Sequence, residues 1–196
     1  MEPADLEEQL VSRARQGDLE AFNHLVERNQ DAIYNLCFRL VGARETAEDA
    51  TQEAFLSAFR KLEQFRGGNF RAWLFRIAGN ACYDELRRRR ARPARSLDAP
   101  EAPTAAGEIP SGEPSPEEQA AHRELAAYLR AALARLPFDQ RLAVLLCDHE
   151  GFSYEEISTA TGVSVGTVKS RISRGRERLR RLLLEHKELL PGRFRQ

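Results

Sequence analysis

The chain has 196 residues, and its 30 basic and 30 acidic side chains give a formal net charge of zero. Charged residues make up 31% and apolar ones 42%, enough for a core of modest size, which excludes a wholly disordered chain. No apolar run approaches the roughly 20 residues that span a bilayer, the acidic amphipathic start lacks the pattern of a secretory signal, and three scattered cysteines (Cys37, Cys82, Cys147) are too few for a disulfide framework. The expectation is a cytoplasmic protein with no membrane span.

The first predicted element is a short amphipathic helix through Leu6, Leu10 and Val11 that ends near Gly17. Asp18 is placed to cap the next helix, in which Phe22, Leu25, Val26, Ile33, Leu36 and Leu40 keep helical spacing until Gly42. A third helix over 44–61 turns Ala47, Ala50, Ala54, Phe55, Ala58 and Leu62 inward. The run FRGGNF breaks the pattern at two glycines. A long helix over 70–90 follows, with Trp73, Leu74, Ile77, Ala81 and Leu86 apolar.

Six of the nine prolines fall between Pro93 and Pro116, in a stretch with almost nothing large to bury, and from Ser96 to Ala121 there are six acids and no base. Residues 94–116 therefore read as a flexible, proline-rich acidic linker between a module at 1–93 and a second at 117–196. In the second module Ser115-Pro116-Glu117-Glu118 is a helix start, and that helix runs to about Leu136. Pro137 opens another that ends at Gly151. Ser153 with Glu156 forms a capping box for a short helix, Gly162 makes the turn, and Ser164 caps a last helix reaching about Leu190. No segment alternates like a strand. The fold class is all-α, with two small helical domains.

The zero net charge hides segregation. The run RRRRARPAR at 87–95 holds six arginines and no acid, while 169–187 holds eight bases against Glu177 and Glu185. Two basic blocks flanking an acidic connector point to two polyanion-facing surfaces. The segment 153–178 has helix-turn-helix mechanics: Ile157, Val163, Val168 and Ile172 fix two helices across small Ser158 and the Gly162 turn. Thr167, Lys169, Ser170, Arg171, Ser173 and Arg174 then face outward, a mixture suited to major-groove reading and phosphate contact.

The stretch GFSYEEISTATGVSVGTVKSRISRGRERLRRLL closely resembles region 4 of bacterial sigma factors of the extracytoplasmic-function (ECF) type, in the sigma-70 family. AEDATQEAFLSAFRKLEQFRG resembles region 2.2 of that family, and NFRAWLFRIAGNACYDELRRRRA its regions 2.3 and 2.4. The resemblance implies a stress-response sigma factor that binds core RNA polymerase and directs promoter-specific transcription initiation. By the match, Asp49, Gln52, Glu53 and Phe55 dock on the β′ clamp helices of the polymerase. Phe65, Arg66, Asn69, Phe70, Trp73, Arg76 and Asn80 fall where the family opens and reads the minus-ten element, and Arg87 to Arg90, Arg88 among them, bind duplex phosphates beside it. Phe70 and Trp73 also read as core residues, and for Trp73 core is the preferred reading; the loop is one residue shorter than the common family form. Lys169, Ser170, Ser173 and Arg174 take the minus-35 reading positions, with Thr167 beside them and with Arg171 and Arg176 as phosphate contacts. Leu142, Leu146 and Leu183 read either as the surface for the polymerase β flap or as core leucines. The resemblance also implies an anti-sigma partner and no cofactor.

Two other classes are weaker. A zinc site from Cys147, His149 and His122 or Cys82 lacks any paired C-x-x-C or H-x-x-x-H spacing, and the first module holds no catalytic set, so the chain does not read as an enzyme. A stand-alone helix-turn-helix regulator normally carries a receiver or ligand domain or dimerises on a palindrome, and no such domain is legible.

Overall fold

Local sequence chemistry accounts for several helix ends in the computed structural model, which describes residues 3–91 and 116–185. The first module contains α1 (Pro3–Arg15), α2 (Leu19–Val41), α3 (Arg44–Lys61), a 3₁₀ turn (Leu62–Gln64) and α4 (Phe70–Ala91). Asp18 caps α2 by accepting from the Ala21 N–H at 3.1 Å, which stabilises a helix start by about 1 kcal/mol. The second module contains α5 (Pro116–Ala134), α6 (Phe138–Val144), a π-helical turn (Leu145–His149), α7 (Tyr154–Thr161) and α8 (Val165–Leu184). Ser153 and Glu156 form the capping box of α7, Gly162 takes a left-handed φ of 71°, and Ser164 accepts from the Thr167 N–H to cap α8. The helix-turn-helix is therefore present as read. The linker at 94–116 lies outside the described residues apart from Pro116, as do Ser115 and everything after Glu185.

Two expectations about the second module change. The helix expected from Pro137 to Gly151 leaves α-geometry after Val144, because the Glu150 N–H reaches back to the Leu145 carbonyl at 3.1 Å, one residue further than an α-helix. The helix expected to run to Leu136 ends at Ala134, where the Leu136 N–H turns to the Leu133 carbonyl before Pro137.

The cores of the two modules are continuous. Leu25, Ile33, Leu36 and Leu40 of α2, small Ala47, Ala50, Ala54 and Ala58 of α3, and Leu74, Phe75 and Ile77 of α4 form one buried cluster with Leu142, Leu146, Phe152, Ile157, Val168 and Ile172. Cys37 and Cys82 are small core residues, and Cys147 is half-buried. The join is a ridge on α4 at four-residue steps: Arg71, Phe75, Gly79 and Tyr83. Phe75 stands edge-on to Phe152 at 5.3 Å, and Tyr83 to Phe138 at 5.2 Å. A Cβ at Gly79 would stand 2.9 Å from Leu142 Cδ2, so glycine here lets the Leu142 side chain pack directly on α4. A smaller cluster of Ala132, Leu136 and Leu182 holds α5 to α8, where the Tyr128 hydroxyl donates to the Leu182 carbonyl.

Candidate nucleic-acid interface

The glycine loop is short because Gly67 and Gly68 both take left-handed φ values, 92° and 89°, which other residues rarely adopt. Beneath it Phe65 and Phe70 are buried, and half-buried Trp73 lies 5.3 Å from Phe65 and 5.6 Å from Phe70. Trp73 thus joins the core and the surface, so both readings of it survive. Asn69 begins α4: its Oδ1 accepts from the Ala72 N–H at 2.9 Å while its Nδ2 donates to Glu156 Oε1 at 2.6 Å. Helical phase carries Asn69, Trp73, Arg76, Asn80 and Arg87 along one side of α4. Arg66, Asn80, Arg87 and Arg88 are exposed, and Arg88 lies 2.7 Å from Glu85. Arg76 is half-buried, and its Nε has no hydrogen-bond partner among the described residues.

The sequence reading missed Arg71. Its guanidinium lies 4.7 Å from the Phe75 ring centroid and 5.2 Å from that of Phe152, and its Nη2 is 2.6 Å from Glu150 Oε2. An arginine four residues before a phenylalanine on a helix was a usable signal for the first contact. Nothing local foretold Glu150 or Glu156, some 79 and 87 residues away along the chain. The Glu156 carboxyl is held below the usual carboxylate range by the Ser153 N–H first, then by the Asn69 amide and the Ser153 hydroxyl.

On α8, Val168 and Ile172 are buried, while Lys169, Ser173, Arg174 and Arg176 are exposed and Thr167, Ser170 and Arg171 half-exposed. Arg174 folds back along the helix onto the Ser170 carbonyl and hydroxyl, at 3.1 and 2.9 Å. Arg171 pairs with Asp139 of α6 at 2.7 Å, and the Arg176 Nε donates to Asp148 at 3.0 Å. A groove of about 290 Å³ beside the helix is lined by Lys169, Ile172, Ser173, Arg176, Glu177 and Arg180 together with Tyr154 at the start of α7. Tyr154 and Arg180 are additions to the sequence-derived set.

On α3, Asp49, Gln52 and Glu53 are exposed along one side, with Glu53 3.7 Å from Arg60. Phe55 is half-buried against the core, whereas Leu56 and Phe59 present apolar surface beside the acids. Leu142 and Leu146 are core residues, and Leu183 packs on the smaller cluster. Among the described residues no helix is long and apolar enough to cross a membrane, and no group of three His, Cys, Asp or Glu side chains is arranged to hold a metal ion.

A basic helix-turn-helix joined to a second helical module with an aromatic-floored loop defines a DNA-binding protein of transcription. Residues 25–92 match sigma-70 region 2, and residues 126–179 match sigma-70 region 4. Over 180 residues the chain is 39% identical to the RNA polymerase sigma-H factor of Pseudomonas aeruginosa, covering 90% of this chain and 93% of that one. It is 40% identical to the ECF RNA polymerase sigma-E factor of Escherichia coli K12, over 86% of this chain and 89% of that one. It is 42% identical to ECF RNA polymerase sigma factor SigE of Mycolicibacterium smegmatis, over 87% of this chain but 65% of that relative's length. Among solved structures, CnrH in complex with the cytosolic domain of CnrY is similar at a TM-score of 0.67 and 27% identity, covering 91% of this chain and 97% of CnrH. The sigma factor RpoE in complex with the anti-sigma factor NepR from Bartonella quintana follows at a TM-score of 0.61 and 29% identity, over 83% and 96% of the two chains. The chain belongs to the ECF RNA polymerase sigma factors, the proteins that direct transcription initiation by RNA polymerase.

Proposed function

We propose that residues 1–93 dock on core polymerase and read and open the minus-ten element, that 117–196 read the minus-35 element, and that 94–116 tether the two. The observation that carries this division is the split of exposed basic and polar side chains between two helices of separate modules: Asn69, Asn80 and Arg87 along α4, with half-buried Arg76 on the same side, and Lys169, Ser173, Arg174 and Arg176 along α8. Amide and guanidinium groups hydrogen-bond base edges and phosphates, and rings stack on unpaired bases. Asn69 on its glycine loop is the group for an unpaired minus-ten base, with Phe65, Phe70 and Trp73 as the aromatic floor. Asp49, Gln52 and Glu53 offer acceptors to the β′ clamp helices beside the apolar patch of Leu56 and Phe59. The β flap is taken by the second module.

The protein acts in the cytoplasm, where its polymerase is, and contributes binding and positioning with no chemistry or cofactor of its own. An anti-sigma factor is its regulator; the structural likeness to RpoE, solved with the anti-sigma factor NepR, supports this. The test is transcription in vitro from a genomic library by core polymerase with and without the chain. Transcripts that require the chain and share two spaced upstream elements are the expected result. Start sites unchanged by its addition would overturn the reading.

A further inference from the structure

The first turn of α4 is occupied by carboxylates of the other module. Glu150 holds the Arg71 guanidinium at 2.6 Å, and Glu156 takes the Asn69 amide. The Glu150 side chain is only 6% exposed, so it is a nearly dehydrated charge that requires its partners. Besides Arg71 it has His149 Nδ1 at 2.8 Å on its other oxygen and the field of Arg39 from α2. Arg71 is held from two sides, by Phe75 of its own helix and by Phe152 and Glu150 of the second module. If the second module leaves, Phe75 stays under the guanidinium and the paired Glu150 carboxylate goes, leaving only the field of Glu7 from α1 as counter-charge. What remains is an oriented cation next to Asn69. A guanidinium grips a phosphodiester oxygen with the same fork it offers a carboxylate.

We propose that Arg71 is a further promoter-contacting residue, and that Glu150 and Glu156 occupy in the closed chain the places taken by a phosphate and a base edge of the melted strand. The inference rests on the assignment of Asn69 to an unpaired minus-ten base. Strand and second module then exclude each other at this corner. The affinity of the polymerase-free chain for single-stranded promoter DNA is its intrinsic affinity scaled by the fraction open.

The probe is a fluorescein-labelled non-template oligonucleotide taken from start sites that the polymerase and this chain define together. Its anisotropy is followed at low salt with the full chain and no polymerase. Glu150→Gln should raise affinity several-fold; an unchanged affinity overturns the proposal. Adding Arg71→Ala to Glu150→Gln should abolish that gain, whereas a double variant binding as well as the single one makes Arg71 a latch only and overturns its role as a contact. Gly79→Leu drives α6 off the ridge without altering a charge and should give the same gain, which keeps the test intact if Glu150→Gln folds poorly by circular dichroism. An Asn69→Ala chain that opens promoters at the normal rate, measured with polymerase, overturns the minus-ten assignment. Slow opening by that variant together with no gain from Glu150→Gln or Gly79→Leu overturns the present inference alone.

Discussion

Asn69 uses both ends of its amide inside the protein, so its substitutions report two different things. Asn69→Ala removes the cap of α4 and should cost about 1 kcal/mol in thermal unfolding. Asn69→Asp keeps an acceptor for the Ala72 N–H but sets a second carboxylate against Glu156, so it too should melt below the parent, and it has no donor for a base edge. Both should slow promoter opening, followed by permanganate reactivity of unpaired thymines; normal opening by either would shift the contact to Arg66. Glu156 gives a pH dependence of definite sign. Its carboxyl is held low by the Ser153 N–H and then Asn69, so its stabilisation is fully present above the ordinary carboxylate range and is lost as pH falls through the lowered value. Glu156→Gln should therefore melt below the parent at neutral pH, with the gap closing in acid. On α8 the two arginines separate by partner. Among the described residues Arg174 bonds its own helix alone and is free to swing to a base edge, so Arg174→Ala should cost roughly 1–3 kcal/mol of promoter binding and relax preference at one or two minus-35 positions. Arg176→Ala should weaken binding alike on all promoters, and it should also lose an exposed ion pair with Asp148 worth about 0.2–1 kcal/mol in melting.

At the scale of elements, α6 and α8 meet at Gly175. A Cβ there would lie 2.7 Å from Val144 Cγ2 and 3.2 Å from the Gln140 carbonyl oxygen. Alanine gains about 1 kcal/mol of helix propensity over glycine, but overpacking against backbone costs about 1–3 kcal/mol. Gly175→Ala should therefore lower the melting temperature of the second module, a sign opposite to the usual effect in a helix. The helices themselves were legible, because Asp18, Ser153, Ser164, Gly42 and Gly162 mark ends by local chemistry that tertiary contacts do not override. The π turn was not legible: one hydrogen bond shifted by one residue leaves no compositional trace. Of the site, Lys169, Ser173 and Arg174 were readable as outward positions flanking the inward Val168 and Ile172. Arg71 was hidden because its partners Glu150 and Phe152 belong to the other module. A clue lay in α4, where Phe70, Ala72, Leu74, Phe75, Ile77, Ala78 and Cys82 are apolar nearly all round, as in a helix covered on more than one side.

For the molecule as a whole, the shared core makes the two modules one cooperative unit. Phe75 is fully buried, and removing the second module exposes it along with Phe152 and Leu142, at roughly 1.5–3 kcal/mol for each large side chain brought into water. Calorimetry of the full chain should accordingly give one unfolding transition. Gly79→Leu should split it in two, with each module melting on its own; two transitions in the parent chain would show that the ridge contributes little. The sequence presents these modules as separate because a proline-rich stretch divides them, and proline reports where backbone cannot be helical, not which surfaces later meet.

The ridge of Arg71, Phe75, Gly79 and Tyr83 and the surface it meets belong to one covalent chain, so closure is unimolecular. Dilution cannot open it and crowding by more copies cannot close it. Engagement by polymerase is bimolecular and follows mass action. The number of molecules in the reading state is thus set by the concentration of available core enzyme, and synthesis of this chain beyond that level adds only to a closed reserve.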